Sequence, residues 1–321
     1  MILGRDMKLV FTVLVLSCYS VAAIAAEYEL ADPGIAVVGD VGYVTIDGSD
    51  NFSAMARRHG LGFEEMRLAN PGMDPWLPLD GAVITLPTRH LLPASARKGI
   101  VINVAEYRLY YFDDVADSSA KVSTFPISIG RQEWLTPVGT SKVVQKRKKP
   151  TWFPPKSVIA EHAERGDFLA SSVPPGPDNP LGEYSLRLSI PGYLIHGTNR
   201  PAGVGMQVTH GCVRMYPENI EWLFPQVGVG TPVIIVNQPY KFAYIGDDLF
   251  FQAYPPLEPS EDLAARSLTR VMEVFVQVVD PQSTEVDWDL IEQTHQRPTG
   301  LPVRVGQRVV PKLVVVAAEQ S

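Results

Sequence analysis

Apolar and polar positions fall into short runs along most of the chain. Ile100 to Val104 and Arg108 to Phe112 are apolar-rich runs joined by a short turn, which predicts a hairpin. Further strands are predicted near Val122 to Ile129, Gly139 to Lys146, Ser185 to Ile190 and Val233 to Val236. Helical signals in this stretch are brief. Pro155 suits the first turn of one helix, and Tyr216 to Phe224 sets Ile220, Leu223 and Phe224 on one side of another. Val173 to Pro180 holds Pro174, Pro175, Gly176, Pro177 and Pro180, which continue neither regular element, so this segment reads as a loop flanking a cleft. The pattern predicts a mainly β domain that carries its chemistry on loops.

Two smaller units flank it. Tyr43 to Pro87 has strand signals at its ends. Between them Asp50 is placed to cap a helix through Phe52, Met55, Ala56 and His59, and Phe63 to Ala69 gives a second helix closed by Asn70-Pro71-Gly72. Strand, helix, helix, strand is the expected order. Beyond Tyr240, Phe242 to Ile245 and Leu249 to Tyr254 form a hairpin turning at Gly246-Asp247-Asp248. Pro255-Pro256 then introduces a helix capped by Ser260 that is expected to bury Leu263, Leu268, Val271, Met272 and Phe275. A shorter helix around Trp288 to Ile291 and a strand at Val309 to Val316 complete this α+β extension. The fold class is mainly β, α+β in detail.

Composition narrows the function. At 321 residues, 45% hydrophobic and 20% charged, the chain has ordinary globular make-up, with room for two or three domains. A net charge of −7 disfavours nucleic-acid binding, which needs a basic face. The one basic run, Lys146 to Lys149, reads as a solvated strand end or loop. Arg5 and Lys8 precede an apolar run from Leu9 to Leu16 and the small residues Ala23-Ile24-Ala25. This is the layout of a secretory leader cut after Ala25, and it predicts export to the periplasm. Val15-Leu16-Ser17-Cys18 offers a competing lipoprotein reading. No stretch supplies the roughly 20 apolar residues of a membrane span, so the mature chain is expected to be soluble.

Loss of the leader removes Cys18 and leaves Cys212 as the only thiol, so no internal disulfide is available. Its surroundings point to chemistry. The chain reads Ile195-His196, twelve positions from Gly197 to Val208, then Thr209-His210-Gly211-Cys212-Val213-Arg214. An imidazole can take the thiol proton, and cations or free N–H groups stabilise the thiolate. The small Gly211 lets a substrate carbonyl approach main-chain N–H groups that could form an oxyanion hole. Arg214 suits a bidentate grip on a carboxylate. His210 either orients the thiol or supports the loop. A zinc site from His196, His210 and Cys212 is an alternative the residue types allow, but the remaining histidines supply no ligand spacing. No metal or cofactor is expected.

His196, the twelve-residue interval and Thr209 to Cys212 resemble the signature of the L,D-transpeptidase, or YkuD-type, catalytic domain. Gly99 to Phe112, Thr136 to Thr140 and Pro150 to Pro155 resemble further segments of that domain in Gram-negative bacteria. The resemblance implies Cys212 as nucleophile and His196 as proton acceptor and donor. It also implies that His210 and Gly211 shape the catalytic site, and that Arg214, Thr209 and Gly197 face the substrate. Leu68 to Pro71 and Val83 to Pro87 resemble a LysM peptidoglycan-binding module, although Asp47 to Phe52 follows that family's entry only loosely. A degenerate packing unit is the competing reading. The expected layout is a signal peptide over 1–25, a LysM-like module over 40–90, a catalytic domain over 97–237 and a C-terminal extension over 238–321. The implied activity is acyl transfer from tetrapeptide stems of peptidoglycan to another stem or to an envelope lipoprotein. Hydrolysis by the same cysteine, as a carboxypeptidase or amidase, and a non-catalytic wall-binding scaffold are the alternatives. The expected partners are stem peptides and glycan strands.

Overall fold

The computed structural model describes residues 26–30, 34–113, 120–257 and 267–309. The predicted leader and Cys18 lie outside them. The first part of the chain contains strand β1 (Ala26–Glu29), β2 (Val37–Val38) and β3 (Gly42–Thr45), helices α1 (Phe52–Arg58) and α2 (Phe63–Ala69), then β4 (Val83–Leu86) and β5 (His90–Leu91). The central part contains β6 (Gly99–Asn103), β7 (Arg108–Phe112), β8 (Lys121–Gly130), β9 (Gly139–Lys148), α3 (Lys156–Glu164), β10 (Tyr184–Leu188), β11 (Leu194–His196), β12 (Gln207–Thr209), β13 (Val213–Met215), α4 (Pro217–Gln226) and β14 (Pro232–Val236). Hairpin β15 (Tyr240–Ile245) and β16 (Asp248–Ala253) follows, then α5 (Leu268–Val278), β17 (Thr284–Val286), α6 (Trp288–Gln296) and β18 (Val303–Arg308).

The central strands run in the order β8-β13-β11-β10-β9-β14-β6-β7, and β7 pairs back onto β8, so the sheet closes on itself like a barrel. Both faces of β6 are covered, which explains why it reads as an unbroken apolar run. Ile100 and Ile102 point into the main core with Leu109, Phe125, Ile127 and Leu223. Val101, between them, packs into an outer cluster with Leu30, Val38, Leu92 and Tyr110. The fold is therefore the mainly β, α+β class expected, with β3-α1-α2-β4 before the barrel and a four-stranded sheet with two helices after it.

Several details differ from the sequence reading. α1 is capped by Asn51, whose side chain accepts from the Ala54 N–H at 2.9 Å; Asp50 instead pairs with Arg58 at 2.6 Å. Ser260 and Leu263 lie outside the described residues, and Ser267 precedes α5. Only Val271 and Phe275 of the residues expected to be buried there are so. Leu268 and Met272 are 39% and 38% exposed, because α5 touches the sheet through a narrow stripe. The last described strand is β18, ahead of the predicted Val309 to Val316, most of which is outside the described residues. Strand β1, along the edge of β8, had no sequence signal, since Ala26 to Glu29 is polar and mostly exposed.

The flanking units are locked to the barrel by buried charge. Arg108 on β7 grips Glu65 on α2 with Nε to Oε1 at 2.7 Å and Nη2 to Oε2 at 2.8 Å, both side chains essentially inaccessible. Glu65 also accepts the Gly62 N–H at 2.6 Å. On the other side, Lys241 pairs with Glu106, itself bonded to Asn103 at 2.8 Å. The helical unit leans on the loop between His196 and Cys212. Phe63 N–H donates to Val204 O and Glu64 N–H to Gly205 O, each at 3.2 Å. Gly205 has φ +87°, and a Cβ there would stand 2.3 Å from the Gly62 Cα. Only glycine fits.

Candidate active site

Four neighbouring strands bring the site together through their register. In the parallel pair, His196 on β11 stands opposite Arg214 on β13. His196 also stands opposite Ser185 on β10, and Ser185 opposite Arg147 on β9. The adjacent row continues from Cys212 past Leu194 to Arg187 and Gln145. Because side chains alternate between faces, these two rows of four share one face, while Ile195 and Val213 between them point into the core. All eight line one cleft of about 760 Å³, roofed by α3 and edged by Val173, Asp178 and Pro180 of the proline-rich loop, as the sequence led us to expect.

Cys212 is half-buried, His196 buried. Burial raises the thiol pKa, against the opposing effect of the Leu194 main-chain N–H at the sulfur and the Arg214 charge. Burial, with Arg214 beside it, pushes the His196 imidazole down to about 3. Both groups rest neutral. His196 Nδ1 lies 2.6 Å from the Gly197 carbonyl oxygen, which can only accept, so Nδ1 carries the proton and Nε2 is left as the base.

The turn before Cys212 is held from within. Thr209 Oγ1 donates to Cys212 O at 2.6 Å and accepts the Gly211 N–H at 3.2 Å; Thr136 Oγ1 donates to Gly211 O at 2.8 Å. Gly211 has φ +100°, and a Cβ would meet Tyr193 Cε1 at 2.8 Å. Thr209, expected against the substrate, thus has its hydroxyl engaged in the turn. Gly197, also expected there, is buried between Ile220 and Leu181 and contributes its carbonyl to His196 instead. His210 reaches α3: its Nε2 lies 2.7 Å from Glu161 Oε2 and 3.0 Å from Arg131 Nη2, and its ring packs on Trp134. Hydrogen bonds from Arg131 and His210 hold the Glu161 carboxyl down to about 2. Among the described residues, no cluster of three or more His, Cys, Asp or Glu side chains converges.

Arg214 supplies a cation to the site. Its Nε is buried without a hydrogen-bond partner, and the nearby Arg200 charge adds to the burial that lowers its pKa. Both guanidiniums line the cleft, and a pair of neighbouring cations suits an anion. Sequence reasoning missed Arg200, Arg147, Arg187 and Glu161. Alternation within β9 and β10 carried a weak signal for Arg147 and Arg187, but which face is the cleft depends on register.

Residues 97–235 match the YkuD family, described as the L,D-transpeptidase catalytic domain. The chain is 34% identical over 310 residues to the probable L,D-transpeptidase YcfS of Escherichia coli strain K12, covering 94% of each protein. It is 36% identical over 293 residues to the probable L,D-transpeptidase ErfK/SrfK of the same strain, covering 88% of this chain and 92% of that one. The chain belongs to the L,D-transpeptidase family, of Gram-negative type, and is a transpeptidase enzyme. Among solved structures, the catalytic domain of an E. faecium L,D-transpeptidase aligns with a TM-score of 0.34 at 19% identity, covering 45% of this chain and 100% of that one.

Proposed function

We propose that this enzyme transfers acyl groups from tetrapeptide stems of peptidoglycan through a thioester on Cys212. The thiol attacks the carbonyl at the L-centre of the stem diamino acid as its proton passes to His196 Nε2. Collapse breaks the bond to terminal D-alanine, whose amine takes that proton. An acceptor amine then attacks the thioester, delivers its own proton to His196, and the imidazole returns it to the departing sulfur. The Cys212 N–H is the donor for the developing oxyanion, the Gly211 N–H being engaged by Thr209. Arg214, with Arg200 beside it, takes a donor carboxylate. Thr209, Gly211 and Gly197 position the thiol and the base, and His210 anchors the turn. The observation that carries the reading is the shared face of Cys212, His196 and Arg214, with the tautomer of His196 set by Gly197.

The acceptor is the diamino acid of a second stem or a lysine of an envelope lipoprotein; water in its place gives a carboxypeptidase or amidase. We assign residues 1–25 to a leader that delivers the enzyme to the periplasm, 40–90 to a LysM-like unit that holds glycan strands, 97–237 to catalysis and 238–321 to an extension. No helix of the described residues is long and apolar enough to cross a membrane. Incubating the purified protein with a tetrapeptide muropeptide and a lysine peptide, and resolving the products by mass, tests the reading. Dimers or lysine adducts with release of D-alanine are expected; hydrolysed monomers alone would make it a hydrolase, and no turnover would refute the acyl-transfer reading.

A further inference from the structure

The basic run at the end of β9 is not uniform. Lys146 and Lys148 turn to the opposite face, the one Leu186 shares with the core, where Lys146 lies over the Phe224 ring and Lys148 over Tyr184. Gln145 and Arg147, between them, line the cleft, with Arg187 of β10 directly opposite Gln145. Arg187 and Arg147 are therefore diagonal neighbours across an antiparallel pair, about 7–8 Å apart at the backbone and within reach of a common ligand for side chains this long. Among the described residues neither has a carboxylate partner. Of the acidic groups lining the cleft, Glu161 is already engaged by Arg131 and Arg165, which leaves only Asp178. Two arginines left open in a cleft, Arg147 in the row of Arg214 and Arg187 in the next, are arranged for an anion.

Their distance from the thiol says which anion. Arg187 sits in the same row as Cys212, with Leu194 between. Strands lie about 4.8 Å apart, so two spacings put the Arg187 backbone roughly 10 Å from that of Cys212. That is about the length of three residues of extended peptide. We propose that Arg187 and Arg147 form a second carboxylate subsite that selects donors bearing an acidic residue on the acyl side of the scissile bond, separate from the carboxylate held at Arg214. This rests on the acyl-donor reading above. The subsite would keep the acyl chain in place after D-alanine leaves, since it grips the part that stays on the sulfur.

Two synthetic donors test it, identical except that the acyl-side acidic residue carries a carboxylate in one and a carboxamide in the other. Wild-type enzyme is expected to favour the carboxylate donor in kcat/KM by on the order of ten- to a hundred-fold, the scale of a charge-assisted contact. In Arg187→Gln the ratio should fall towards one, and in Arg147→Gln it should fall in the same direction. Binding of both peptides to Cys212→Ala, with and without Arg187→Gln, reads the subsite independently of turnover. A wild-type ratio near one, or a preference that survives both substitutions, overturns the subsite. If neither donor is turned over but Cys212→Ala still binds the carboxylate peptide more tightly and loses this with Arg187→Gln, the acyl-donor reading falls and the subsite stands.

Discussion

His196 Nδ1 donates to the carbonyl of Gly197 at 2.6 Å, a bond that can run in only one direction. Together with the burial that holds the imidazole down to about 3 and raises the thiol pKa, it describes a neutral pair rather than a standing thiolate and imidazolium. Deprotonation must then accompany attack. For a neutral alkylating reagent the rate at Cys212 should climb roughly tenfold per pH unit from about pH 6 towards the raised thiol pKa, because only the thiolate reacts. No step should appear near the ordinary imidazole value. Alkylation with iodoacetamide followed by mass spectrometry measures this, and a flat, fast rate across the neutral range would contradict the neutral pair.

Replacing Cys212 by serine should abolish turnover while leaving the melting temperature close to wild type. The hydroxyl is far harder to ionise than the thiol, and an imidazole buried to this degree is a weak base. The side chain is half-buried and its sulfur makes only weak polar contacts, with the Leu194 main-chain N–H and, at 3.6 Å, with Gly192 O, so the fold has little to lose. Transpeptidation retained in this variant would dismiss the cysteine mechanism.

The Glu65 to Arg108 pair predicts a stability effect far from the thiol. Glu65→Gln keeps the shape but leaves the Arg108 charge buried without its partner, which costs about 3–5 kcal/mol. Chemical denaturation should show the loss. Glu65→Leu with Arg108→Met should recover much of it, since removing both charges also removes their desolvation. A chain started at Lys98 would lose Glu65 and strip β1 from β8 at the same time. Wall binding by the helical unit is therefore better probed by surface substitutions in the full chain.

How much was legible follows from what each feature depends on. The strands of the barrel announced themselves because both faces of the sheet are covered, so Gly99 to Phe112 reads as apolar almost throughout. His196 and Cys212 were visible through their spacing and neighbours. The hydrogen bonds of Thr209, Gly197 and His210 were not, because each depends on which way one side chain or carbonyl turns within a few residues, and composition does not encode that. Glu65 and Arg108 lie 43 positions apart. Arg187 and Arg147 lie on strands whose pairing alone decides that they face the thiol. A charged residue in an alternating strand reads as solvent-facing, and here the solvent is the cleft.

Arg214 remains the sharpest test of the site. Its guanidinium lines the cleft opposite His196, with Nε buried and unpaired and Arg200 near enough to disfavour its charge. If the two arginines seat a donor carboxylate, Arg214→Lys keeps the charge and removes the planar fork, so the loss should fall on donor processing. A lost charge-assisted bond corresponds to about 1.5–3 kcal/mol, or roughly ten- to a hundred-fold in kcat/KM. Arg214 also lowers the thiol pKa, and lysine preserves most of that effect, so alkylation of Cys212 by iodoacetamide should stay near wild type. The measurement pairs kcat/KM for a tetrapeptide donor at saturating acceptor with the alkylation rate. Slower donor turnover with normal alkylation is the expected outcome. Equal loss of both would make Arg214 a stabiliser of the thiolate instead, and wild-type values for both would remove it from donor recognition.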